Sequence, residues 1–448
     1  MERELLIIGN GFDLQCGLKT HYKDFFFDRY GINLIARKMQ SKEKDIKNRP
    51  FSEYQEEAEK DVVVFLRKVI NDLDIDRLLQ NNTNANGYLV NYFLQKLRKK
   101  GLLENDPKVK EKIEFTNWDV IFLVAYILME QTLYWNDVEK AIFDVVSLVL
   151  KPDQDEFSDY SFISDSAKSK FKKIVKYCFK ENRKDTASAM LDALKKFEKQ
   201  FAKYIRKQLH EHKKIYLAEV SNLLKKITFR GDIDSVELDV INFNYSLDEY
   251  TVNYLKERKA ISNISVNSWV NIHGIAYWNN STIRAYLNKI HGREYGALPA
   301  PIFGIDGHDI LSPSKNKILD LDDPRIIFTK SYRLIDSQIN TIRDKKHKFP
   351  STVNKMIFYG HSLGHADYSY FETLFDLYKI FDSNVELNFY YHAHSQNLRN
   401  RKSEQNMLKQ VVNLLTSYGE TLTDQHGENI VNRLVLEQRL NLLPTSKC

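Results

Sequence analysis

Cysteine is scarce: the 448 residues contain three, Cys16, Cys178 and Cys448, far apart and without a C-x-x-C pair. That spacing excludes a zinc ribbon and the disulfide framework of a small secreted protein, and it fits a reducing cytoplasm. The N-terminus, Met1-Glu2-Arg3-Glu4 running straight into apolar residues, lacks the basic region, long apolar core and small-residue cleavage site of a signal peptide. Long hydrophobic runs are missing too. The longest, Val120 to Met129, is about half of the ~20 residues that a membrane-spanning helix needs, so it reads as a buried core helix. Charge of one sign is not in excess: 66 Lys+Arg stand against 60 Asp+Glu, and a net +6 over so large a surface does not nominate nucleic acid as a partner. No internal repeat and no low-complexity tract is found.

What is present is 43% hydrophobic and 12% aromatic residues, enough to bury a sizeable core in two domains or in one with a large insertion. Leu5-Leu6-Ile7-Ile8, ended by Gly9-Asn10-Gly11, has the shape of a central parallel strand that turns at once into a loop or helix. From about Tyr30 to Gly231 the pattern is mostly helical. Ser52 with Gln55 reads as a capping box opening a helix that carries Val62, Phe65, Leu66, Val69 and Leu73. Asn117 to Met129 gives another helix, and Asn136 with Glu139 reads as the cap of the next. Leu194, Phe197, Phe201, Ile205 and Leu209 mark a long amphipathic helix. Its outer face, Lys195, Lys196, Lys199, Lys203, Arg206 and Lys207, is either simply solvated or a surface for a partner.

Strand patterns return at Val236 to Phe243, Trp269 to Ile272, Pro301 to Gly304, Lys355 to Tyr359 and Val385 to Tyr391, several of them separated by helical stretches. This alternation predicts an α/β fold: a Rossmann-like, doubly wound, mostly parallel sheet with a large α-helical insertion. The expected organisation is residues 1–30 plus 232–420 as a nucleotide-binding domain, 31–231 as the insertion, and 421–448 as a C-terminal tail.

Four segments stand at predicted strand ends, where open α/β sheets bind ligands: Gly9-Asn10-Gly11-Phe12-Asp13, Phe243-Asn244-Tyr245-Ser246, Ile272-His273-Gly274, and Gly360-His361-Ser362-Leu363-Gly364-His365-Ala366-Asp367. Gly9 and Gly11 would let the backbone approach a phosphate, or they simply make a tight turn. Asp13 could equally be a helix cap. Asn244 offers a donor and an acceptor for a water or ribose hydroxyl, or it stabilises a turn. His273 could act as a general base or satisfy a loop backbone. Glu139 could reach the pocket from the insertion, but capping explains it without function. The strand-Gly360-His361-Ser362-Leu363-Gly364-helix pattern also matches the nucleophile elbow of serine hydrolases, with Asp382 and His392 or His394, or Asp424 and His426, as partners. Close backbone packing is the other account of Gly360 and Gly364.

As a set, I-I-G-N-G-F-D with Gly17, Thr20 and Tyr22, N-F-N-Y-S, I-H-G and Y-G-H-S-L-G-H-A-D-Y resemble the AbiH family of bacterial phage abortive-infection proteins. In the same order they are similar to a divergent sirtuin-type Rossmann domain around NAD. That second resemblance implies Asn244 and His273 as catalytic. It implies contacts to the nucleotide from Gly9, Gly11, Asp13, Gly360 and Ser362, and Asn10, Phe12, Tyr245, His361 and Asp367 of the same segments complete the expected nucleotide site. Asp13, Asn10 and Ser246 replace a serine, an alanine and an aspartate of the sirtuin pattern, and the four-cysteine zinc module is missing. Protein deacylation is therefore not expected. The implied activity is hydrolysis of NAD to nicotinamide and ADP-ribose, with NAD as substrate, no permanently bound cofactor and no metal. The alternatives are a nucleotide sensor that does not cleave, and a serine hydrolase using Ser362. Expected partners are a small-molecule nucleotide and a phage or host protein met by the insertion. A homo-oligomer is compatible, and neither nucleic acid nor membrane is expected.

Overall fold

The computed structural model describes residues 3–43, 49–80, 87–103, 114–128, 135–151, 164–179, 185–228, 236–261, 264–276, 301–311, 322–336, 349–364, 367–393, 401–422 and 427–446. Six strands, β1 (Arg3–Ile8), β2 (Val236–Asn242), β3 (Ile264–Asn271), β4 (Lys355–Tyr359), β5 (Glu386–Ala393) and β6 (Leu440–Ser446), form one parallel sheet in the order β3-β2-β1-β4-β5-β6. This is the doubly wound Rossmann order. The chain starts in the middle, winds outward through β2 and β3, then crosses back and winds outward through β4, β5 and β6. The order reverses between β1 and β4, and the C-terminal ends of the strands at such a reversal are where open α/β sheets bind ligands.

The strand residues are apolar on both faces because both faces are covered. Successive side chains point to opposite sides of a sheet, so Leu6, Ile8, Leu238, Val240, Ile357 and Tyr359 join the core shared with the insertion. Leu5, Ile7, Ile241, Met356, Phe358, Leu387 and Phe389 join a second core on the other face.

Ten helices are described between β1 and β2: α1 (Gly11–Gln15), α2 (Tyr22–Arg29), α3 (Ile32–Lys42), α4 (Phe51–Asn71), α5 (Ile75–Gln80), α6 (Tyr88–Lys100), α7 (Asn117–Leu128), α8 (Trp135–Leu150), α9 (Asp165–Cys178) and α10 (Thr186–Thr228). Helix α10 has 43 residues and is about 65 Å long at 1.5 Å per residue. Its Phe197 and Phe201 meet Phe25 of α2 and Phe303 edge to face or tilted. The insertion and the sheet thus share one continuous core. Between β2 and β3 lies α11 (Glu249–Glu257); between β3 and β4, α12 (His308–Leu311) and α13 (Lys330–Asp336). Helix α14 (Tyr368–Leu377) follows β4, and α15 (Arg401–Gly419) and α16 (Ile430–Leu436) precede β6. Among the described residues, no helix is long and apolar enough to cross a membrane.

Four local expectations are corrected. The segment read as a C-terminal tail contains α16 and β6, and β6 closes the sheet edge beside β5. Pro444 disguised it, because proline is tolerated in a strand only at an edge. Pro301 to Gly304 is not a strand: Ile302 donates to the His273 carbonyl and Phe303 to the Glu198 carboxylate, so no ladder forms. The Ser52 capping box is not made, since Pro50 is the cap residue of α4 and Gln55 donates to Asn33 Oδ1 instead. Helix α8 starts at Trp135, ahead of the Asn136–Glu139 cap that the sequence pattern suggested. The basic face of α10 is largely answered within the chain, with Lys195 against Asp336, Lys196 against Glu114 and Lys207 against Asp28.

Candidate functional site

The loops after β1 and β4 are pressed together, backbone on backbone. Gly9 N–H donates to the Tyr359 carbonyl (2.9 Å), Gly11 N–H to the Gly360 carbonyl (2.7 Å), and Phe12 N–H to the Gly9 carbonyl (2.9 Å). A Cβ on Gly9 would lie 2.3 Å from His361 Cα, and one on Gly360 would lie 2.4 Å from Phe12 N. Gly360 also sits at φ +69°. The glycines are therefore required for this contact whatever the loops bind. Gly360→Ala is expected to cost roughly 2–4 kcal/mol, from the left-handed backbone and the forced separation together. Urea unfolding of variant and parent checks it.

The side chains of the first loop turn inward. Phe12 is buried against Tyr359, edge to face at 5.7 Å. Asn10 Nδ2 donates to the Thr20 carbonyl. Asp13 is buried and accepts from Tyr216 of α10 (2.8 Å) and from Ser246 after β2, tying insertion and sheet together. Burial raises its carboxyl to about 6, against the two hydroxyl donors. A carboxyl whose folded pKa exceeds its unfolded value of about 3.9 binds its proton more tightly when folded, so it loses stability as pH rises from about 4 to about 6. Asp13→Asn should remove that slope from the melting temperature. Asp13→Ala should lower stability by about 1–3 kcal/mol at any pH, because the Tyr216 and Ser246 hydroxyls lose their shared acceptor and can bond only each other.

After β2, the turn is held by Asn242 and Asn271. Asn242 Oδ1 accepts from Asn244 N–H (2.9 Å) and its Nδ2 donates to the Leu247 carbonyl; Asn271 Nδ2 donates to the carbonyls of Asn244 and Leu247. The turn-stabilising task considered for Asn244 therefore falls to its neighbours. The Asn244 side chain is 2% exposed, and neither its Oδ1 nor its Nδ2 has a hydrogen-bond partner among the described residues. Such an amide is costly to bury for structure alone. Tyr245 is half-buried, edge to face with Phe201.

His273, just beyond β3 on the neighbouring strand, is also buried, and its Nε2 likewise has no hydrogen bond among the described residues. Burial, reinforced by Lys330, pulls its imidazole down to about 3 against the pull of Asp367. The ring is therefore neutral at rest, with Nε2 3.4 Å from Asp367 Oδ1. Phe243 packs against both His273 and His361. His361 Nδ1 accepts from Leu363 N–H (2.9 Å), so its Nε2 carries the hydrogen and faces Asp367 Oδ2 at 3.2 Å.

Lys330, the first residue of α13, binds the site together. Its Nζ lies 2.7 Å from Asp367 Oδ1 and 2.7 Å from Glu139 Oε1 of α8. Burial would lower the ammonium, but the two carboxylates outweigh it and hold it above its ordinary value. Burial would likewise raise Asp367, yet Lys330 and the two histidines hold it well below the usual carboxylate range. Glu139 goes the other way: burial, helped by the charges of Asp367 and Asp306, pushes it up to about 7 despite Lys330. Lys330 is placed by the Ile305–Thr329 bridge and by its own N–H to the Ile305 carbonyl. The buried Glu198–Arg333 pair anchors the same helix to α10.

The sequence-predicted residues Asn244, His273, His361 and Asp367 are thus gathered at the ends of β2, β3 and β4. Asn10, Phe12 and Asp13 are engaged within the chain. Ser362 is exposed, and the left-handed residues around it are Gly360 and Leu363, not the serine. Asp382 precedes β5 and pairs with Arg433, placing it at the opposite end of the sheet from Ser362 and His392. His394, Asp424 and His426 lie outside the described residues, as does Cys448. Sequence reasoning missed Lys330, Asn242 and Asn271. A faint signal for Lys330 existed, since a cation in a first helical turn opposes the helix dipole and needs a local anion.

Fold and site together define a doubly wound α/β protein with a polar, buried cluster at the C-terminal edge of its sheet. A family model described as "Bacteriophage abortive infection AbiH" matches residues 5–391. The chain belongs to this AbiH family, which ties it to abortive infection against bacteriophage. No curated protein and no solved structure matches it.

Proposed function

We propose that the protein acts in abortive infection by binding NAD at this edge of the sheet and hydrolysing it to nicotinamide and ADP-ribose. The observation that carries the reading is the pair of buried side chains at adjacent strand ends, Asn244 and His273, whose polar atoms lack hydrogen bonds among the described residues. Cleavage of the nicotinamide bond passes through an oxocarbenium-like ribose and needs a water held and oriented beside it. The Asn244 amide supplies a donor and an acceptor for that water or a ribose hydroxyl. The neutral His273 imidazole can accept a hydrogen bond from a ribose hydroxyl and so orient the sugar beside that water.

The serine-hydrolase alternative with Asp382 as its acid has less support, since Asp382 is at the opposite end of the sheet from Ser362 and the serine itself is not left-handed. A nucleotide sensor that does not cleave is favoured by one observation: three amides of the glycine loop already donate within the chain, leaving fewer for a pyrophosphate. Incubating the purified protein with NAD and following nicotinamide and ADP-ribose by chromatography separates the two readings. Equimolar appearance of both products is expected. Saturable NAD binding without products would establish the sensor instead, and absence of both binding and products would sink both readings.

A further inference from the structure

The helical insertion supplies a charged group to the sheet-edge cluster. Glu139 comes from α8, some 130 residues after β1, yet its Oε1 lies 2.7 Å from the ammonium of Lys330, which lies 2.7 Å from Asp367 after β4. All three are at least four-fifths buried, with side-chain exposures of 17%, 3% and 16%. Two carboxylates share one ammonium, so the trio carries one negative charge too many for a buried site. Asp367 also receives the Nε2–H of His361 and faces His273, whereas the Lys330 ammonium is the cation that Glu139 shares with it. Of the two carboxylates, Glu139 is therefore the one that takes up a proton more readily.

Resting on the reading of the site as an NAD hydrolase, we propose that Glu139 is its proton acceptor, brought in by the insertion and aligned by Lys330. In the step it serves, the water oxygen forms a bond to ribose C1′ while the C1′–nitrogen bond breaks. The electron pair of that bond neutralises the departing pyridinium nitrogen. The water proton passes to the Glu139 carboxylate and from there to solvent, so one NAD and one water yield nicotinamide, ADP-ribose and one proton. His273 is left to hold the ribose. An acid–base group is most effective with a pKa near the working pH. Glu139, pushed up to about 7, meets this condition, whereas His273, pulled down to about 3, is a weak base. The charged groups that set the titration are Lys330 on α13, Asp367 beyond β4 and Asp306 ahead of α12, and the neutral phenols of Tyr370 beyond β4 and Tyr245 beyond β2 face the same carboxyl.

The test is the pH dependence of nicotinamide release by the full-length protein and its Glu139→Gln and Glu139→Asp variants, with NAD affinity measured alongside. In the parent, kcat should rise tenfold per pH unit below about 7 and then level off. Glu139→Gln should keep NAD affinity within a few-fold, lose roughly 10²–10⁴ of kcat at pH 8 and lose the rising limb. Glu139→Asp should keep a limb displaced along the pH axis, which a purely structural role would not produce. A Glu139→Gln protein that still cleaves NAD with the parental pH profile overturns the assignment while leaving the NAD reading intact. A parent that releases no nicotinamide overturns both.

Discussion

Replacing Lys330 by methionine should destabilise the protein by about 3–5 kcal/mol at neutral pH, the usual consequence of removing one partner from a buried ion pair. Methionine is close to lysine in length and apolar, so the stem packing near Gly304 is kept and the lost charge dominates. Without the ammonium, Glu139, already pushed up to about 7, takes a proton, and Asp367 is left as a buried carboxylate without its nearest cation. The pH dependence identifies the cause. In the parent, Asp367 is held well below its ordinary range, so the stability it contributes is present above about pH 4 and is lost as pH falls toward the folded value. The gap between parent and variant should therefore be widest at neutral pH and shrink below about pH 4, where protonation removes the uncompensated charge of Asp367 in the variant. Chemical denaturation at pH 7.5 and pH 4 measures both quantities. A gap that does not vary with pH would mean that packing, not charge, is responsible.

For the proposed reaction, Asn244→Ala and His273→Ala are each expected to reduce NAD hydrolysis by two to four orders of magnitude. The stability prediction for Asn244→Ala runs opposite to that for Lys330. Because neither polar atom of the Asn244 carboxamide has a hydrogen bond among the described residues, its removal leaves no described polar group without its partner. The melting temperature of Asn244→Ala should then stay near the parental value or rise, as it does when a functional site has been built at the expense of stability. Steady-state release of nicotinamide, paired with thermal melts, distinguishes this from unfolding. Full turnover in either variant would remove that residue from the mechanism.

The strand residues show how far local pattern reaches. Leu5-Leu6-Ile7-Ile8 followed by Gly9-Asn10-Gly11 was enough to announce a central parallel strand, because only a strand covered on both faces tolerates apolar residues in succession. The apolar run from Val120 was recognisable as a buried helix for a similar reason: Val120 to Ala125 are all buried in α7. Leu440 to Ser446 escaped notice because a strand of mixed polarity containing proline gives no periodic signal.

The amino-acid sequence by itself determined that the chain is a parallel α/β protein, that it carries a large helical insertion, and that Asn244, His273, His361 and Asp367 stand near strand ends. Periodicity and turn residues are local quantities, and each of these features is written in a few consecutive residues. Only the tertiary structure decided that Asn242 and Asn271, not Asn244, hold the turn, and that Asp13 points into the core. It alone brought Glu139 and Lys330, nearly two hundred residues apart in sequence, to within 2.7 Å of each other. A buried charge is assigned its partner by the folding of distant elements onto one another, and its proton affinity by the desolvation that follows. Neither leaves a trace in local sequence.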